Sequence, residues 1–186
     1  MDKEKALPKR KSTRLKNYDY SSTGAYFVTI CIQDRKQILS EIIKTTRPIT
    51  DESGNSMVGE GPRSLAYSVR LKPCGEVVRE QLKLIEQRFP SVSVKDYIIM
   101  PNHIHAILQK RKEAGGASPS PTLDDVICAF KSLTSRSCKR KYGVEKMFQR
   151  SYAEHIIRDM EDYETRRNYI YENPKRWYFK YLNKEE

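Results

Sequence analysis

Histidine is scarce in this chain, with 3 among 186 residues, and tryptophan occurs once. No stretch approaches the roughly 18 apolar residues that a membrane-spanning helix needs. The first residues, MDKEKALPKRKSTRLK, are charged and lead into no apolar segment, so no secretory signal is expected. The four cysteines, Cys31, Cys74, Cys128 and Cys138, form no C-x-x-C pair and match no zinc-ribbon spacing. They read as the reduced thiols of a cytosolic protein. A phosphate-cradling G-x-x-x-x-G-K-[ST] loop is absent, so no nucleotide cofactor is expected. No internal repeat is visible.

Positive charge, by contrast, is abundant. Lys and Arg number 35 against 24 Asp and Glu, a net charge of +11 with a pI near 9.5. A surplus of that size favours polyanionic partners, most often nucleic acid. An anionic membrane is a poorer match, because no basic helix carries an aromatic face. The length fits one domain with a long insertion or a tail.

Residues 1–17 are basic, lack apolar periodicity and read as an N-terminal arm. Ala25–Gln33 is rich in β-branched and aromatic residues and predicts a buried central strand. Residues 44–70 hold Gly, Pro, Ser and Asp with little periodicity and read as an insertion loop. Pro73–Arg88 spaces Val77, Val78, Leu82 and Ile85 as an amphipathic helix ending before Pro90, with Pro73 in its first turn. Val92–Met100 and His103–Gln109 predict two strands hairpinned through Pro101-Asn102. A Gly/Ser/Pro-rich linker at about 111–121 precedes a second helix over Leu123–Lys139, capped near Thr122 or Asp124. Tyr152–Arg158 predicts a fourth strand. Asp159–Asn173 predicts a last helix, stopped by Pro174. The first six of these elements give an α+β, ferredoxin-like β-α-β-β-α-β order: an antiparallel sheet with helices on one face. The seventh is an appended C-terminal helix. The domain is expected over 18–178, with a tail at 179–186.

Two of the three histidines form His103-Ile104-His105. On a strand, positions i and i+2 share a face, so both imidazoles project to one side and Ile104 to the other. Two imidazoles side by side make half a site for a divalent metal. As a bare tripeptide the signal is weak.

The surrounding residues strengthen it. Tyr97–Leu108, YIIMPNHIHAIL, resembles the HUH motif of bacterial transposases that process single-stranded DNA with a tyrosine. Phe148–Trp177 contains Y-x-E-H-x-I-R, Y-I-x-x-N-P and a trailing R-W, and Cys128–Arg136 reads CAFKSLTSR. These pieces, in this order, resemble the REP-associated tyrosine transposases of the Y1 class, over roughly residues 17–177. The resemblance implies His103 and His105 as ligands of Mg2+ or Mn2+. It also implies a tyrosine that attacks single-stranded or hairpin DNA and forms a 5′-phosphotyrosine. The expected place is the bacterial cytoplasm, on the nucleoid. The expected assembly is either a monomer or a homodimer that exchanges tyrosine helices.

The chain has 12 tyrosines. Tyr169 and Tyr171 are two steps apart, about 200° around a helix, so only one can face the metal. In the small single-strand transposases the nucleophile lies four residues before an amide ligand, which maps to Tyr169 and Asn173, one helix face apart by i, i+4. Tyr171 stays open as the alternative nucleophile, and Asn173 as a helix cap before Pro174. Glu154 and His155, on opposite faces of the predicted strand, are candidates for groups beside the site or for a hydrogen-bonded structural pair. Arg14, Lys16, Lys131, Arg150, Arg158, Arg166, Arg167, Lys175 and Arg176 are candidate phosphate contacts. Trp177 and Tyr178 are candidate platforms for unpaired bases. A non-catalytic binder of single-stranded nucleic acid with the same fold is the competing reading. A metal phosphodiesterase that uses water is a third.

Overall fold

A computed structural model describes residues 23–44, 67–111 and 121–182. The arm with Arg14 and Lys16, most of the insertion and most of the linker lie outside these residues. Four strands form one sheet: β1 (Gly24–Cys31), β4 (Val92–Met100), β5 (His103–Lys110) and β6 (Ala153–Ile157). Their order is β4-β5-β1-β6 and every pair is antiparallel. This is the ferredoxin-like arrangement, with each crossover helix joining two strands that flank a third.

Helix α1 (Pro73–Lys83), the short α2 (Ile85–Arg88) and α3 (Leu123–Tyr142) follow the predicted spans closely. Leu84 breaks the first predicted helix in two. Helix α1 opens with Pro73 at its first turn. A Cβ at Gly75 would collide with the Leu39 carbonyl, so α1 can approach that backbone only with glycine there. Helix α3 is closed at both ends: Thr122 and Asp125 form a capping box, and Gly143 terminates it at φ 70°.

The alternation of β1 and β5 divides the sheet into two faces. Tyr26, Val28 and Ile30 pair with Leu108, Ala106 and Ile104, and this face packs against α1 and α3 through Val78, Leu82, Val126 and Phe130. Ile104 points into that core, as its place between the histidines predicted. Phe27, Thr29 and Cys31 pair with Ile107, His105 and His103 on the opposite face.

That second face carries the C-terminal helix, as a helix presenting a tyrosine to the histidines must; its extent is what departs from expectation. The last helix, α4 (Met160–Trp177), lies across it, with Ile170, Tyr171 and Trp177 packed on Phe27, Ile98, Met100 and Ile107. Pro174 does not end α4; the chain stays helical to Trp177 and continues as one π-helical turn over Tyr178–Leu182. Burial of Pro174 and Trp177 outweighs the lost N–H of proline. The supposed tail therefore begins with ordered helix. The insertion is also not all loop. Its last residues form β3 (Tyr67–Leu71), paired antiparallel with β2 (Ser40–Lys44), which ends where the insertion begins; Ile42 and Val69 face each other and join the α4-side core.

Candidate active site

His103 and His105 stand on β5 with ring centroids 4.6 Å apart. Each is fixed by a neighbour. His103 Nδ1 donates to Asn102 Oδ1 at 2.8 Å, which leaves Nε2 as the lone-pair nitrogen of the neutral ring. His105 Nδ1 shares a 2.8 Å hydrogen bond with the hydroxyl of Thr29, directly opposite it on β1. Phe27 stacks on His105 at 5.1 Å.

Burial keeps both imidazoles neutral at physiological pH. Desolvation, and then the nearby Arg35 guanidinium, lower the His103 pKa to about 4, although hydrogen bonding to Asn173 works the other way. Desolvation and the neighbouring His103 bring His105 to about 3. Neutral imidazole is the form that binds metal. Arg35 was not singled out from sequence. It enters the site because the turn at Gln33–Arg35 places Asp34 and Arg35 at φ 54°, where no local residue pattern announces a left-handed pair.

Helix α4 supplies the other components. The Tyr169 ring meets His105 edge to face at 5.2 Å and Phe27 at 6.0 Å, while remaining 36% exposed. It is therefore held against the histidine pair of its own chain and open to solvent on one side. The Arg176 guanidinium lies 5.4 Å from the Tyr169 ring centre and pairs with Glu172. Asn173, 6% exposed, lies within hydrogen-bonding reach of His103 and donates its Nδ2 to the Tyr169 carbonyl at 3.2 Å. It sits inside the helix, so it is not the terminal cap.

Tyr171 points elsewhere. Its hydroxyl donates to Asp96 at 2.5 Å, and burial together with that carboxylate raises its pKa far above the ordinary phenol value. A phenol buried in this way has no route to a substrate. Tyr163 donates to the other Asp96 oxygen at 2.8 Å, and its pKa is pushed up to about 12, by desolvation first and then by Asp96.

The remaining candidates divide sharply. His155 lies on the histidine face, opposite Phe27 on β1, and its Nε2 is 2.6 Å from Asp162, which also accepts from Arg166 at 3.1 Å. Glu154 lies opposite Val28 on the other face, beside Tyr152, away from the site. Lys131 is not positioned as a phosphate contact. Its ammonium donates to the Gln149 and Arg150 carbonyls at 2.7 and 2.9 Å, tying α3 to the segment before β6. Trp177 is not an open stacking platform either. It is 7% exposed, with His103 at 5.9 Å and Tyr181 at 4.4 Å. Tyr178 is half-buried against Tyr67 at 4.8 Å. Arg150, Arg158, Lys175 and Arg176 are exposed.

Among the described residues no three His, Cys, Asp or Glu side chains gather as a metal cluster. The available donor set is two neutral imidazoles and the Asn173 amide. Such a set suits a divalent cation that completes its shell with water and phosphate oxygens.

Over 88% of its length the chain superposes on a solved REP-associated tyrosine transposase bound to a REP hairpin, covering 74% of that chain at TM-score 0.53 and 18% identity. The two share a fold. In sequence, the chain is 27% identical over 183 residues to an uncharacterised protein of Haemophilus influenzae, covering 90% of this chain and 89% of the relative. No family model matches. No described helix is long and apolar enough to cross a membrane.

Proposed function

We propose that this chain is a metal-dependent transposase of the REP-associated tyrosine type, which nicks and rejoins single-stranded DNA next to a REP-type hairpin. The carrying observation is the convergence of His103, His105 and Tyr169, from β5 and α4, on one face of the sheet. The shared fold, the sequence motifs around these residues and the net charge of +11 support the same reading. Its place of action is the bacterial cytoplasm, on the nucleoid.

His103, His105 and the Asn173 oxygen would hold Mg2+ or Mn2+. When bound, the cation polarises the scissile phosphate and offsets charge on its oxygens. Tyr169 is the nucleophile. Its hydroxyl gives up a proton to water, its oxygen bonds to phosphorus as the bond to the 3′-oxygen breaks, and the departing 3′-oxygen takes up a proton from water. The 5′-phosphate stays on the tyrosine as a diester, so a 3′-hydroxyl from another strand can reverse the step without ATP. Exposed Arg150, Arg158, Lys175 and Arg176 supply phosphate contacts, with Arg176 beside the Tyr169 ring.

The test is incubation with labelled hairpin DNA and Mn2+, followed by denaturing electrophoresis. A protein–DNA adduct is expected from the native chain and none from Tyr169→Phe. Cleavage that persists in Tyr169→Phe identifies water as the nucleophile and overturns the reading; hairpin binding with no cleavage by the native chain leaves only a binding protein.

A further inference from the structure

Strict alternation along β4 would give Asp96 the same face as Val94, which opposes Leu108 in the α1–α3 core. It does not lie there. A bulge at Lys95 lets Asp96 oppose Ile107 instead, on the histidine face, while Lys95 itself is exposed. A bulge of this kind re-aims side chains across a sheet. Here it turns a carboxylate toward α4, where it is 6% exposed.

Three α4 side chains meet that carboxylate. Tyr163 and Tyr171 donate to its two oxygens at 2.8 and 2.5 Å, and Arg167 Nε lies 3.5 Å away. Residues 163, 167 and 171 are spaced by four and form one stripe along the helix. Tyr169 is about 200° from Tyr171, on the stripe with Asn173 that faces His105 and His103. Clamping one stripe to β4 therefore sets the rotation and the axial position of the other over β5. A buried carboxylate is costly without partners, so three converging donors define a single docked position for the helix.

We propose that Asp96 is a positioning residue, a clamp that fixes α4 against its own sheet so that Tyr169 is presented to the histidine pair in cis. This rests on the assignment of Tyr169 as nucleophile. Asp96 touches no reacting atom; it acts through Tyr163, Arg167 and Tyr171. Removing the clamp lets the helix slide or roll, and displacement by about 1 Å is enough to slow attack roughly 100-fold.

Three measurements on the full chain test it: the single-turnover rate of adduct formation with hairpin DNA at saturating Mn2+, the hairpin Kd, and hydrogen exchange of backbone amides. Asp96→Asn is expected to lower the rate about 10- to 100-fold, leave hairpin Kd within about twofold, and speed exchange in α4 but not in β1 and β5. Tyr171→Phe, the milder variant if Asp96→Asn folds poorly, is expected to show a smaller loss of rate with the same split. An unchanged rate in a folded Asp96→Asn overturns the positioning role, as does a parallel loss of DNA binding. Unchanged α4 exchange overturns the clamp itself. If the native chain forms no adduct, the Tyr169 chemistry fails, and the exchange data still decide whether Asp96 clamps α4.

Discussion

Thr29 Oγ1 and His105 Nδ1 lie 2.8 Å apart across the β1–β5 ladder. That contact orients the ring: with Nδ1 engaged by the hydroxyl, His105 presents Nε2 to the space shared with His103. Partners that orient a metal ligand are typically worth 10- to 100-fold in metal affinity. Thr29→Val keeps the β-branched shape of the strand and removes only the hydroxyl. It should weaken Mn2+ binding by about that factor, read by electron paramagnetic resonance titration, with the circular dichroism spectrum unchanged. Undiminished affinity would show that Thr29 does not orient the ligand.

The two histidines also make a prediction about acid. In metal-free protein their pKa values, about 4 for His103 and about 3 for His105, lie below the unfolded value near 6.5. Between pH 6.5 and those values the unfolded chain binds more protons than the folded one. Stability contributed by the neutral rings is therefore complete above pH 6.5 and is lost as pH falls through about 4 and 3. The urea midpoint, measured in chelator, should drop between pH 7 and 4.5. Replacing both histidines with glutamine should flatten that slope. An equal slope in the variant would place the acid sensitivity in the carboxylates instead.

The main sheet was legible because its strands are short apolar runs rich in β-branched and aromatic residues, bounded by turn signals such as Pro101-Asn102. Val92–Met100 came out with the expected bounds, and the neighbouring strand begins at His103 as expected and runs one residue further, to Lys110. The β2–β3 hairpin was not legible. Each of its strands carries only a few apolar residues, Ile42 and Ile43 against Val69 and Leu71, and the two are separated by a long polar stretch. Asp96 was missed for a different reason. Nothing in SVSVKDY marks a bulge, and the side chain's meaning depends on Tyr163 and Tyr171, more than sixty residues downstream. Among the site residues, the i, i+2 histidines were readable from strand geometry. The family spacing already favours Tyr169 over Tyr171; the Asp96 contact that engages the buried Tyr171 hydroxyl supports that choice and was not readable from sequence.

Lys131 illustrates how a basic residue that sequence offers as a phosphate contact can be structural. Its ammonium satisfies two backbone carbonyls before β6. Hydrogen bonds from a charged donor contribute about 1.5–3 kcal/mol, so Lys131→Met should cost roughly that in denaturant unfolding while keeping the aliphatic stem packed. The salt dependence of hairpin binding should be unaffected. A log–log slope shallower by about one would instead mean that Lys131 holds a phosphate.

Asn173 decides whether α4 would contribute a ligand as well as the proposed nucleophile. Its amide lies beside His103, and Nδ2 donates to the Tyr169 carbonyl. The amide oxygen is the atom that can turn to a cation. Alanine at 173 has better helix propensity than asparagine, so Asn173→Ala should leave α4 formed, with the lost side-chain hydrogen bond costing about 1 kcal/mol. If the oxygen is the third donor, Mn2+ affinity should fall about tenfold, and Asn173→Asp, which offers a charged oxygen at the same place, should restore or exceed it. A lower unfolding midpoint with unchanged Mn2+ affinity in Asn173→Ala would reduce Asn173 to a helix-stabilising amide and leave the cation to the two histidines and the DNA.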